Sequence, residues 1–175
     1  MADHNDSTNR NADRSSGGGT ETRTVAELLD AGDVVMVTTR DGASTLSARP
    51  LTVAEVQGPT VRFLVDRNAP WVHAVRNGGP LNVTATDGGH NVWASLSGAG
   101  TLLEDRVLVQ RLWSKPAGAY FDGPDDPAIA VLQLDVRDGE HWSAPGGGAV
   151  GRLVSLAASA VGKGERVNEH GPVRG

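Results

Sequence analysis

The spacing of apolar residues along the chain switches more than once, and each switch marks the edge of an element. Leu81, Val83 and Ala85 alternate with Asn82, Thr84 and Thr86, and Val92, Ala94 and Leu96 alternate with Trp93, Ser95 and Ser97. A period of two predicts half-buried strands, here joined through Asp87-Gly88-Gly89. Earlier, Val34, Val35, Val37, Thr38 and Thr39 make a β-branched run closed by the turn pair Asp41-Gly42. Thr45 to Val56 reads as a long strand ended by Gly58-Pro59, and Val61 to Val65 as another. A last strand begins at Ile129 after the turn Asp125-Asp126-Pro127 and carries Leu132, Leu134 and Val136.

Three short helical segments interrupt these strands. Thr24-Val25-Ala26-Glu27 has the form of a capping box, with Leu28 and Leu29 turned to a core before Gly32 stops the segment. Pro70 to Arg76 reads as a short helix with Asn68 as its cap, Pro70 in the first turn and Gly78-Gly79 at its end. Asp105 caps a helix running through Trp113 that presents Val109, Leu112 and Trp113 on one side. Strands that do not alternate with long helices exclude a doubly wound parallel sheet. The expected fold is mainly β (α+β), an antiparallel barrel or curved sheet with a few short peripheral helices.

A length of 175 residues fits one domain. Residues 1–22 are polar and Gly-rich and read as a disordered tail, residues 23–162 as the domain, and residues 163–175 as a polar C-terminal tail. The absence of cysteine excludes disulfides, thiol catalysis and Cys-ligated metals. A net charge of −5 and no Lys/Arg cluster argue against nucleic acid as a partner. No apolar run approaches the roughly 18 residues of a membrane span, and the start lacks the apolar region of a signal peptide, so the expected location is cytoplasmic.

Several motifs carry less than their pattern suggests. Gly146-Gly147-Gly148-Ala149-Val150-Gly151 satisfies G-x-G-x-x-G, but only 24 residues follow Gly151, too few for the rest of a dinucleotide-binding unit. It reads as a linker before the apolar segment Val150 to Val161. His4, His73, His90, His141 and His170 form no ligand pair, so no metal site is expected. No residue stands out as a catalytic acid, base or nucleophile.

Arg49-Pro50-Leu51 is the unusual stretch. Proline cannot donate to a ladder, so within a strand it belongs at an edge, at a bulge or where a ligand meets the backbone. The arginine before it offers a planar donor fork suited to phosphate. A solvated arginine on an edge strand fits the local sequence equally well.

The order of motifs adds to this. Val37-Thr38-Thr39-Arg40-Asp41-Gly42, Ser47-Ala48-Arg49-Pro50-Leu51, Phe63-Leu64-Val65-Asp66-Arg67, Leu81-Asn82-Val83, Ser95-Leu96-Ser97-Gly98, Asp105-Arg106 with Leu112-Trp113, Asp125-Asp126-Pro127 and His141-Trp142 follow one another at compatible spacing. This series resembles the general-stress-protein branch of the pyridoxamine 5′-phosphate oxidase-like family, over roughly residues 24–162. The resemblance implies a split β-barrel that forms a homodimer and holds flavin mononucleotide (FMN) in a groove between subunits. It implies Arg49 as the phosphate ligand, Pro50 and Leu51 as backbone contacts to the flavin ring, and Phe63 and Leu64 beside it. Trp113 is placed either as a stacking wall from the partner chain or as dimer-core filling.

The sequence departs from the family at the short helix, where Ala69 and Trp71 stand in place of a usual Ser and Lys, and Val65 replaces a usual threonine. The missing hydroxyl and cation leave FMN, flavin adenine dinucleotide (FAD) and a deazaflavin (F420) all open as cofactor. A flavin-dependent oxidoreductase is the first expectation. A non-catalytic flavin-binding protein and a cofactor-less dimeric scaffold are the alternatives.

Overall fold

A computed structural model of the chain describes residues 22–41, 45–87, 91–143 and 169–174. The tail 1–21, Gly42, Gly88, Gly89, His90, the Gly-rich stretch and the apolar segment after it lie outside these residues. The strands are β1 (Arg23–Thr24), β2 (Val34–Asp41), β3 (Thr45–Gln57), β4 (Thr60–Asp66), β5 (Asn77–Asp87), β6 (Val92–Leu103), β7 (Ile129–Ser143) and β8 (Glu169–Arg174). One α-helix, α1 (Arg106–Leu112), and 3-10 turns at Val25–Glu27, Pro70–Ala74 and Lys115–Ala119 lie between them.

Six strands close on themselves. The order β7-β4-β3-β2-β5-β6 returns to β7 through the β6–β7 pairing, and every step is antiparallel. Closure removes most of the exposed edges that an open sheet of these strands would carry, leaving part of β3 unpaired on one side. β7 makes it possible by its length. Its first half, Ile129 to Asp135, pairs with β4, while Glu140 to Ser143 pair with β8. β7 carries an extra residue, Arg137, opposite the Ser97/Gly98 step of β6, and this bulge accommodates the change of neighbour. Gly98 is required there, because a Cβ would run into the carbonyl oxygen of Asp135.

Strand alternation fills the interior. Val35 and Val37, Val53, Val61, Phe63 and Val65, Leu81 and Val83, Ala94 and Leu96, and Leu132 and Leu134 share one core. Each valine, leucine or phenylalanine side chain among them contributes about 1.5–3 kcal/mol when fully buried. The outward residues of β4 and β7 form a second, smaller cluster under α1, in which Val109 and Leu112 meet Ile129 and Val131. Asp105 caps α1 as expected, accepting from Leu108 N at 3.0 Å. Arg106 then ties the loop before β7 to the helix, donating to the carbonyls of Pro124 at 2.6 Å and Asp126 at 3.0 Å.

The structure agrees with the expected barrel and differs at its margins. The capping box is present, with Glu27 Oε2 accepting from the Thr24 amide at 2.6 Å and from its hydroxyl at 2.8 Å. The second helical segment is shorter than expected, a 3-10 turn that stops at Ala74, with Ala69 and not Asn68 in the cap position. Asn68 instead donates its amide to Asp66 Oδ1 at 2.8 Å. Part of the expected C-terminal tail is strand β8, antiparallel to β7 and parallel to β1. Among the described residues no helix is long and apolar enough to cross a membrane.

Candidate functional site

β3 is longer than either neighbour needs. Thr45 to Thr52 pair with β2, but β4 joins only at Val53 to Gln57. On the side away from β2, residues 45–52 therefore have no strand partner among the described residues. Val53 directs its amide to Asp33 O and its carbonyl to Gly32 N, both at 2.8 Å, toward β2. Alternation turns Leu51 and Arg49 the same way and leaves the Pro50 backbone facing the open side. The proline thus occupies a place where no donor is needed.

Arg49 lies on the inward face, beyond Leu51, at the mouth of the barrel. Its Nη1 donates to Thr39 Oγ1 at 2.9 Å, and its Nη2 to the carbonyl of Ser47 at 3.2 Å. Thr39 is only 1% exposed, so this hydroxyl anchors the guanidinium from inside the barrel. The guanidinium carbon stands 4.4 Å from the ring centroid of Trp71. Such a stack contributes about 0.5–2 kcal/mol, more as water is excluded. Leu51, Ala69 and Trp71 all pack against the main core, so Arg49 rests on an apolar floor.

The 70–74 turn that carries Trp71 is seated by two glycines. Gly79 and Gly100 face each other across β5 and β6. A Cβ on Gly79 would run into the Ala74 carbonyl oxygen, and one on Gly100 would stand 3.0 Å from Val75 Cβ. Close approach of the turn to the sheet requires glycine at Gly79.

The remaining expected site residues do not gather around Arg49. Phe63 is 0% exposed and its side chain fills the barrel interior, because alternation on β4 turns it inward. Core packing is the place the single chain gives this residue, which the family resemblance sets beside the ring. Leu64 points outward and joins Trp113 in the cluster under α1. Arg67 and Arg76, the arginines flanking the turn, both close on Glu104, at 2.7 and 3.2 Å. Thr39 was expected only as a strand residue; its role as anchor for Arg49 depends on register, which places the two diagonally across β2 and β3.

A second charged group lies on the outer surface. Glu55 of β3 pairs with both Arg62 of β4 and Arg111 of α1. The hydrogen bond from Arg111, reinforced by Arg62, holds its carboxyl below the ordinary carboxylate value. This joins helix to barrel and has no visible chemical role. Among the described residues no group of three His, Asp or Glu side chains could hold a metal ion.

Known proteins share this architecture. The sequence profile of the family described as pyridoxamine 5′-phosphate oxidase like matches residues 20–168. A candidate general stress protein 26 from Jannaschia sp. CCS1 superposes with a TM-score of 0.65 at 23% identity, over 86% of this chain and 94% of the other. The general stress FMN/FAD binding protein of Xanthomonas citri gives a TM-score of 0.60 at 26% identity, over 68% of this chain and 85% of that one. By sequence, protein bli-3 of Neurospora crassa is 22% identical over 158 residues, 83% of this chain and 75% of its own length.

Proposed function

This chain belongs to the pyridoxamine 5′-phosphate oxidase like family, and from that premise we propose that it binds a flavin-type cofactor through Arg49. The observation that carries the proposal is the placement of the Arg49 fork, anchored by buried Thr39 and stacked on Trp71 at an open strand edge. The donor set fits such a group. A guanidinium suits a phosphate, the open side of β3 at Pro50 offers backbone groups to the edge of a flat polar ring, and Leu51 and Trp71 supply an apolar wall. The Xanthomonas citri relative, an FMN/FAD binding protein by name, supports the same reading.

When bound, a flavin supplies the hydride or electron chemistry itself, and the protein's part is to bind, orient and shield it. The family membership favours a flavin-dependent oxidoreductase acting as a cytoplasmic homodimer, with the cofactor at the subunit interface. Supporting the dimer, Val34, Met36 and Leu46 are 67%, 42% and 69% exposed on the outer face of β2 and β3. Met36 lies directly opposite Pro50 there, beside the edge that Arg49 shares. Leu64 and Trp113 would meet the cofactor only from the outer surface, which suits a groove completed by a second subunit. The non-catalytic reading has its own support: the short turn beside Arg49 presents Ala69 and the Trp71 indole, neither of them an acid or base.

Arg49→Ala tests the assignment. Loss of a charge-assisted contact is expected to weaken flavin binding by about tenfold or more. Unchanged affinity would remove Arg49 from the site. Bleaching of the bound cofactor by NADH or NADPH would mark an enzyme, and a cofactor inert to both would favour the non-catalytic reading.

A further inference from the structure

Asn77 and Gly78 are the chain's single Asn-Gly pair, and they lie where the Trp71 turn passes into β5. We propose that this pair is a site of spontaneous deamidation, at which the folded chain converts Asn77 into aspartyl and isoaspartyl forms.

The chemistry needs only the pair and water. The backbone nitrogen of Gly78 attacks the side-chain amide carbon of Asn77, and the new C–N bond closes a cyclic imide. The side-chain nitrogen leaves as ammonia, taking the proton that the Gly78 nitrogen gives up. Water then opens the imide at either carbonyl. One opening yields aspartate; the other yields isoaspartate, whose main chain runs through the former side chain.

The fold leaves the pair open to this reaction. Asparagine is among the thermolabile side chains, and both Asn77 and Gly78 are exposed. The register steps from Asn77–Thr101 to Gly79–Gly100, so Gly78 is the extra residue of a bulge, where the ladder is locally disrupted. Gly78 has a φ of +84°, and beyond its chain neighbours no heavy atom stands within 4 Å of the place a Cβ would take. Nothing therefore crowds the approach of its nitrogen. The other described asparagines are less suited. Asn82 and Asn91 precede valines, whose branched side chains hinder the attack, and Asn68 precedes Ala69. The Asn82 amide is also held by Ser95 and Ser97, both at 2.9 Å.

The two products differ in what they do to the turn. Isoaspartate adds a carbon to the main chain just before Gly79, the residue that seats the turn against the sheet. Trp71 then shifts relative to Arg49. Aspartate changes the charge and leaves the chain length alone. On the flavin reading above, the isoaspartyl form binds cofactor more weakly than the aspartyl form.

The full chain is incubated at neutral pH and physiological temperature, in buffer and in urea, and mapped by mass spectrometry with isoaspartate detection. In buffer, Asn77 is expected to convert ahead of Asn68, Asn82 and Asn91. Its rate is expected to stay within about tenfold of that in urea, because an exposed bulge opens at little cost. Conversion of Asn77 in buffer no faster than that of Asn82, with fast conversion only in urea, would overturn the proposal. The isoaspartyl form and Asn77→Asp are then titrated with FMN. Weaker binding by the isoaspartyl form is expected, and equal binding would overturn the effect on the turn. Failure of the unaltered protein to bind FMN, FAD or deazaflavin would remove the flavin reading and leave the mapping result standing.

Discussion

Thr39, sealed inside the barrel on β2, accepts a 2.9 Å hydrogen bond from Arg49 of β3 and so fixes which way the barrel's mouth-facing cation points. Thr39→Val keeps the shape and removes the acceptor. The guanidinium is then expected to lose its preferred orientation, weakening flavin binding about three- to tenfold, with a stability change of about 1 kcal/mol. Fluorescence titration and thermal unfolding measure the two effects separately. Equal affinity for both proteins would show that Thr39 does not position Arg49.

Gly79 bears on the same site from the other side. Gly79→Ala drives a methyl group into the Ala74 carbonyl, so the turn carrying Trp71 must move. Overpacking of this kind typically destabilises by about 1–3 kcal/mol. Denaturant unfolding should show that loss, and the flavin affinity should fall with it. Full retention of affinity would separate the seat of the turn from the binding site.

Glu55 gives the protein an acid-sensitive joint. Its carboxyl is held below the ordinary value of 4.5, first by Arg111 and then by Arg62. A depressed folded value means the contribution is complete above 4.5 and is lost as pH falls through the lower, folded value. Arg111 is 53% exposed, so screening reduces its share. Glu55→Gln is expected to lower stability at pH 7 by about 1 kcal/mol. The gap between the two proteins should close as acid protonates Glu55. A gap that stays constant on acidification would show that its charge does not contribute.

The exposed face of β2 and β3 tests the assembly. Met36, 42% exposed, sits between Pro50 and Thr84 in the sheet register. Met36→Asp puts a charge on an apolar surface, which a monomer tolerates and a buried interface does not. Sedimentation of the unaltered protein is expected to show a dimer, and of Met36→Asp a monomer. A monomer in both cases would remove the shared-groove arrangement.

The sequence made some of this visible and hid the rest for physical reasons. β5 and β6 were legible because one face is buried and the other wet, so their alternation is written residue by residue. The Thr24/Glu27 box and the Asp105 cap were legible because they are local. β8 was not: Glu169 to Arg174 has no strand pattern, and forms one because β7 and β1 offer it edges from distant parts of the chain. The orientation of Phe63 depended on which face of β4 turned inward, which the apolar Phe63-Leu64-Val65 run does not mark. The pairing of Arg49 with Trp71 needed the closure of the barrel and the seating of the turn against Gly79. Trp71 was visible as a departure from the family pattern, while its contact with Arg49 was not.

The most direct measurement is the visible absorption spectrum of the purified protein, before and after incubation with FMN, FAD and deazaflavin. The expected result is a flavin-type spectrum approaching one cofactor per chain, carried from the cell or acquired on incubation. A protein that stays colourless after incubation with all three would contradict the account.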